Sequence, residues 1–150
     1  MLRLYHSINR STTHFFRRNI TYYNKSHEWL DNSTTNNNRI LRYGITKYAA
    51  DTLGDVQYVN FSDVTTGKPY DKGEEVCVIE SVKAVESIEM PFMGIIVNIN
   101  ENLNDQPELI NDDPEENGWL MELQAGSGWT FDNNIWMSAD DYQTFLNDLD

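Results

Sequence analysis

The sequence predicts a mainly β domain, a compact sandwich or flattened barrel of short strands with a few short helices. Three observations predict it. From residue 26 onward, short alternating or wholly apolar runs recur between Gly, Pro, Asn and Asp turns. Helix signals are few and brief, apart from one amphipathic stretch at the C-terminus. Hydrophobic residues are 39% of the 150, including 4 Trp, 8 Tyr and 6 Phe, which is enough for a packed core.

Each element follows from its residues. Glu28-Trp29-Leu30 reads as the first strand, and the polar run Asp31 to Asn38 as a loop at an expanded hairpin tip. Strand resumes from Arg39 to Ile45. Thr46 can cap a short helix that turns Ala49, Ala50 and Leu53 inward, with Gly54 as its stop. Val56 to Phe61 is a strand with Val59 and Phe61 on one face, and Thr65 to Pro69 and Asp71 to Gly73 are turns. Val76-Cys77-Val78-Ile79 is apolar on both faces, as in the middle of a sandwich. Further strands are expected where Ile95, Val97 and Ile99 alternate with their neighbours, and through Trp119, Met121 and Leu123. Ser138 and Asp141 resemble a capping box. Behind them Tyr142, Phe145, Leu146 and Leu149 fall at helical spacing, so the C-terminal helix is amphipathic.

Charge divides the chain. Of its 11 Lys+Arg, five (Arg3, Arg10, Arg17, Arg18 and Lys25) precede residue 28, where there is no acid. The remaining 6 against all 24 Asp+Glu leave −18 on residues 28–150, within a whole-chain charge of −13. On a wheel of about 100° per residue, Leu4, Ile8 and Phe15 gather within ~40°, and the arginines form a separate stripe. An amphipathic, Arg-rich, Ser-rich, acid-free start is the mark of a mitochondrial transit peptide. Residues 1–25 are therefore expected to be a leader, removed between Arg17 and Lys25, and residues 26–150 the domain. The expected destination is the mitochondrial matrix. A disordered basic tail or a partner-binding helix is the alternative. The acidic remainder disfavours nucleic acid, and no run approaches the ~18 apolar residues of a membrane span. The single cysteine, Cys77, excludes an internal disulfide and a Cys-based zinc site.

The chemically informative stretch is Glu80-Ser81-Val82-Lys83-Ala84-Val85-Glu86, between strand-like runs at 75–80 and 85–90. The short span implies a tight hairpin with Lys83 at or beside its tip. Taken alone, such a lysine is most simply a solvated turn residue. A Schiff-base nucleophile is a second option, but Glu80 and Glu86 favour the ammonium form, which cannot attack. A third is covalent attachment of a swinging prosthetic arm, which suits one exposed amine on a rigid hairpin.

Ser26-His27-Glu28-Trp29, Gly44-Ile45-Thr46, Leu53-Gly54-Asp55-Val56, Glu80-Ser81-Val82-Lys83-Ala84, Pro91, Gly94, Pro107-Glu108-Leu109-Ile110-Asn111, Asp113-Pro114 and Gly118-Trp119 fall in this order. Each piece is weak, but the ordered set, over roughly residues 26–150, closely resembles the H-protein family of the glycine cleavage system, in its mitochondrial form. Related carriers look different at the lysine: biotin carriers typically show Met-Lys-Met and other lipoyl domains Asp-Lys-Ala, against Val82-Lys83-Ala84 here.

The resemblance implies a lipoyl-domain-like barrel-sandwich hybrid with small helices added. It implies lipoic acid in amide linkage on Lys83, with Glu80, Ser81, Val82 and Ala84 forming the attachment hairpin. The protein would be a non-catalytic carrier. Its partners would be the pyridoxal-phosphate-dependent glycine decarboxylase, the tetrahydrofolate-dependent aminomethyltransferase, the flavin-dependent dihydrolipoyl dehydrogenase with NAD, and a lipoyl-attaching enzyme. The alternative within the class is a relay of lipoyl groups to other lipoate-dependent complexes. In the family the loaded arm folds into a cleft on its own domain, and the matching residues here are Ser26 and Glu28. Glu86-Ser87 stands where family members commonly have Ser-Asp. The acid has moved one residue, which reverses its face on a strand. Met90-Pro91-Phe92-Met93 is bulkier than the family's segment.

Other features read plainly. Asn98 to Asp105 lacks the central Gly and final Glu of a calcium loop and is expected to be a solvated strand end and turn. Asp112, Asp113, Glu115 and Glu116 form a solvated acidic turn or a footprint for a basic partner. Cys77 is expected to be inert core, and His27 stands without a metal constellation.

Overall fold

The computed structural model describes residues 21–32, 40–61 and 63–150. Nine strands are assigned among them: β1 (Thr21–Tyr23), β2 (Glu28–Asp31), β3 (Ile40–Ile45), β4 (Val56–Asn60), β5 (Pro69–Tyr70), β6 (Glu75–Ser81), β7 (Val85–Glu89), β8 (Gly94–Ile99) and β9 (Met121–Ala125). The helices are α1 (Lys47–Leu53), α2 (Leu109–Asp112) and α3 (Ala139–Asn147), with a 3₁₀ turn at Glu101–Asn104. One sheet has the order β1-β2-β3-β9-β8-β5 and the other β4-β6-β7, with antiparallel pairing throughout.

The inner faces of both sheets and α1 share one core. Leu30, Tyr43, Ile96 and Leu123 come from the larger sheet, Val59, Cys77 and Ile79 from the smaller, and Ala50 and Leu53 from α1. Burying each large apolar side chain contributes about 1.5–3 kcal/mol. Trp29 faces the other way on β2, packs over Gly44 of the adjacent β3 and is 1% exposed. A side chain at Gly44 would place Cβ 2.8 Å from the indole. The indole Nε1 donates to the carbonyls of Ile45 (2.9 Å) and Pro114 (3.2 Å).

Helix α1 follows its sequence signals. The Thr46 hydroxyl accepts from the Ala49 N–H, and Gly54 ends the helix at φ 74°, ψ −162°. In α3 the Ser138 hydroxyl accepts from the Asp141 N–H, as the capping motif implies.

Several expectations need correction. The folded unit begins before Ser26: Thr21, Tyr22 and Tyr23 pair with Asp31, Leu30 and Trp29, and Tyr23 bridges to Met137. This strand falls inside the stretch assigned to a leader. Most of that leader, and most of the loop read over Asp31 to Asn38, lie outside the described residues, although Asp31 itself ends β2. Pro69, read as a turn, pairs with Ile95 in an edge strand, where its missing N–H is tolerated. A bulge between Ile96 and Asn98 interrupts the expected alternation, and Ile96, ahead of it, is the fully buried member of that run. Trp119 precedes β9 and carries the Arg42 guanidinium 4.9 Å from its ring. Asn100 is not solvated: it is 2% exposed and donates to the Asn117 and Trp119 carbonyls. Leu149 lies beyond α3 and is 48% exposed. Among the described residues no helix is long and apolar enough to cross a membrane.

Candidate functional site

Strands β6 and β7 form a hairpin whose last pair is Glu80 with Val85. The turn is closed by the Ser81 N–H donating to the Ala84 carbonyl at 2.9 Å. The Ser81 hydroxyl organises the rest. It donates to the Leu53 carbonyl at the end of α1 (2.7 Å) and accepts from the N–H groups of Lys83 (3.3 Å) and Ala84 (3.1 Å). The Val82 N–H donates to the Asp55 carbonyl at 3.0 Å. The tip is thus seated on the loop between α1 and β4.

That loop is itself braced. Asn111 of α2 donates from Nδ2 to the Gly54 carbonyl (2.8 Å) and accepts at Oδ1 from the Val56 N–H (2.8 Å). Gly54 serves two ends. Its backbone conformation is essentially restricted to glycine, and a Cβ there would sit 3.0 Å from Cε of Lys83 and 3.6 Å from its Nζ. The Lys83 side chain therefore lies across bare backbone. Lys83 is exposed, flanked by Val82 at 66% and Val85 at 67% exposure. No ion pair ties its amine among the described residues.

Beside the tip opens a cleft of about 450 Å³. Ala84, next to Lys83 in the chain, lines it, and so do Glu86, Ser87, Ile88 and Glu89 of β7. Ile45 and the α1 residues Tyr48, Ala49, Thr52 and Leu53 supply a mostly apolar wall, and Ser26, His27 and Glu28 the far end. The structure brings Ser26, Glu28 and Ala84 together on this cleft. Glu80, Ser81 and Val82 stay on the hairpin outside it. Both Glu86 and Ser87 line it, with Glu89 as a further acid.

The electrostatics of the far end are set by burial. Burial pushes the Glu28 carboxyl above the usual carboxylate range, and Glu89 and Glu86 push the same way. The Asn24 amide, with Nδ2 2.7 Å from Glu28 Oε2, opposes the shift, and so does the nearby Tyr43 hydroxyl, which itself donates to the Glu89 carbonyl at 3.0 Å. The His27 ring packs 4.3 Å from Tyr48 and 5.8 Å from Phe145, and Nδ1 lies 2.7 Å from the Tyr142 hydroxyl. Burial lowers the His27 pKa. Burial pushes the Cys77 thiol up to about 12, so it is inert at neutral pH. The cleft offers an apolar wall and three carboxylates, Glu28, Glu86 and Glu89, suited to a thin chain bearing a cation.

The family model described as "Glycine cleavage H-protein" matches residues 21–149. The chain belongs to the glycine cleavage H-protein family. The match starts at β1, in agreement with that strand's place in the sheet. A probable glycine cleavage system H protein of Thermococcus gammatolerans is 41% identical over 133 residues, covering 85% of this chain and 90% of that one. The glycine cleavage system H protein of Thermotoga maritima is 44% identical over 102 residues, covering 68% and 77%. The crystal structure of an H protein from Mycobacterium marinum superposes with a TM-score of 0.71 at 28% identity, covering 86% and 98%. The fold is thus the lipoyl-domain-like one, and the chain is an H-protein lipoyl carrier of glycine cleavage, a non-catalytic component of that system.

Sequence reasoning missed His27, Tyr48, Thr52 and Glu89 as cleft residues, and gave Asn111 no role.

Proposed function

We propose that Lys83 carries lipoic acid in amide linkage and presents it in turn to glycine decarboxylase, aminomethyltransferase and dihydrolipoyl dehydrogenase. The observation that supports this most is the exposed Lys83 amine on a pinned hairpin, one residue from a cleft that ends in carboxylates. When bound, lipoate supplies the disulfide that accepts the aminomethyl group of glycine and is reduced in doing so. The chain's own residues do the rest. Glu80, Ser81, Val82 and Ala84 form the hairpin that the lipoyl-attaching enzyme grips. Ser26 and Glu28 receive the amine end of the arm, with Glu86, Ser87 and Glu89 on the facing strand. Ile45, Ala49, Leu53 and Ile88 limit water around it. Tethering to the hairpin makes the search between active sites local.

The proposal includes the mitochondrial matrix as compartment. The support is the Arg-rich, acid-free N-terminal segment, with removal now assigned to a point before Thr21 because β1 belongs to the sheet. Peptide mass spectrometry of the protein from its own mitochondria tests both parts. The expected result is a lipoyl mass on Lys83, a chain uncut there by trypsin, and a mature N-terminus at or before Thr21. An unmodified Lys83 overturns the proposal. In a reconstituted system Lys83→Arg is expected to abolish glycine-dependent NADH formation. Lipoylated wild-type protein that supports no glycine turnover would favour the relay role instead.

A further inference from the structure

We propose that Asn24 is a positioning residue for the cleft, gripping the Glu28 carboxylate from behind and holding it ready for a cationic guest. The inference rests on the reading of the cleft as the resting place of the arm's amine. Asn24 occupies the turn between β1 and β2 and is 8% exposed. Both ends of its side chain serve one residue: Nδ2 donates to Oε2 of Glu28 at 2.7 Å, and Oδ1 accepts from the Glu28 N–H at 3.0 Å. Its backbone is pinned as well, the N–H donating to the Glu28 carbonyl (3.0 Å) and the carbonyl accepting from the His27 N–H (3.1 Å). The turn holds His27 at φ 62°, an uncommon conformation for a side-chain-bearing residue.

Asn24 does not line the 450 Å³ cleft. It lines a separate cavity of about 290 Å³ that shares Ser26, Glu28 and Glu89 with that cleft and adds Lys72 and Trp136. Glu28 thus stands between the two, and Asn24 reaches it from the far side, so it acts through Glu28 and touches no guest. The groups around Glu28 are the Tyr43 hydroxyl from β3, Glu86 and Glu89 from β7, His27 in the same turn, and Lys72 across the rear cavity. Burial and the two neighbouring carboxylates favour the protonated acid, whereas the Asn24 amide and the Tyr43 hydroxyl favour the ionised one. A protonated Glu28 offers no charge to an ammonium group. An amide in contact with the carboxylate therefore lowers the pH down to which the cleft can hold an amine.

The test is a carboxyl-carbon NMR titration of Glu28 in the full, unlipoylated chain, for wild type and Asn24→Ala. The Glu28 midpoint is expected to move to higher pH in the variant. A merely structural Asn24 would lower the melting temperature and leave the midpoint in place, and that result overturns the inference. Should Asn24→Ala fold poorly, Asn24→Ser keeps an oxygen in the turn but is too short to reach the carboxylate, and the same shift is expected. In the lipoylated protein loaded from glycine, Asn24→Ala is expected to release ammonia faster than wild type, with the difference growing as pH falls through the raised Glu28 midpoint. Glu28→Gln in that assay separates the two readings. If it changes nothing, the resting-place reading fails and the titration alone judges Asn24. If it speeds release while Asn24→Ala does not, the Asn24 inference fails.

Discussion

Gly54→Ala tests how the lysine is seated. Gly54 holds φ 74°, ψ −162°, where a residue with a Cβ carries about 1–3 kcal/mol of strain. The new methyl would also lie 3.0 Å from Cε of Lys83, a flexible contact that moves away at little energetic cost but displaces the side chain from its bed. The expected destabilisation is therefore the backbone cost alone, roughly 3–12 °C in melting temperature for a domain of this size. Gly67→Ala is the control. It shares a positive φ of 85°, and no atom lies within 4 Å of its added Cβ. Calorimetry should show a loss of stability in both variants. Lipoylation kinetics, with purified attaching enzyme at a temperature where both are folded, should show slower modification of Lys83 only in Gly54→Ala. Equal lipoylation rates in the two would refute the claim that bare backbone at Gly54 positions the amine. A Gly54→Ala melting temperature matching wild type would refute the strain argument itself.

Three further outcomes follow from the same geometry. Gly44→Ala forces a methyl into the Trp29 indole and should cost about 1–3 kcal/mol in urea unfolding; a wild-type midpoint would show that the strand pair can part there. Glu28 has a raised folded pKa, so its favourable contribution exists below the ordinary carboxylate range and is lost as pH rises through that folded value. Glu28→Gln should accordingly gain stability over wild type at neutral pH, with the gain vanishing in acid; a difference independent of pH would contradict the assignment. Asn111→Ala leaves the Gly54 carbonyl and the Val56 N–H without their partner, costing about 1–3 kcal/mol. Faster amide exchange at Val82, on the tip that this loop supports, is the accompanying signature, and unchanged exchange there would mean the brace is not transmitted.

What was legible in the sequence was mostly local. Thr46 and Ser138 cap helices through atoms three residues away, so a reading of neighbours suffices. The β6–β7 hairpin was legible because two apolar runs flank a span too short for anything else. β1 was not. Thr21-Tyr22-Tyr23 lies between the Arg-rich segment and Lys25, and its bridge to Met137 joins distant parts of the chain. The cleft was half legible. Ser26 and Glu28 came from the resemblance, whereas Tyr48 and Thr52 look like ordinary polar faces of a short helix until the fold sets α1 and β7 around one cleft. Asn24 carries no signal at all in composition or spacing, since its contacts with Glu28 exist only where the turn folds it back.

The Ser81 hydroxyl joins the last carbonyl of α1 to the turn that bears Lys83, while Ala49, Thr52 and Leu53 of the same helix wall the cleft. Tether and berth are therefore surveyed from one benchmark. A thermal excursion that tilts the helix carries the anchor along with it, and the reach demanded of the arm stays constant while the domain breathes.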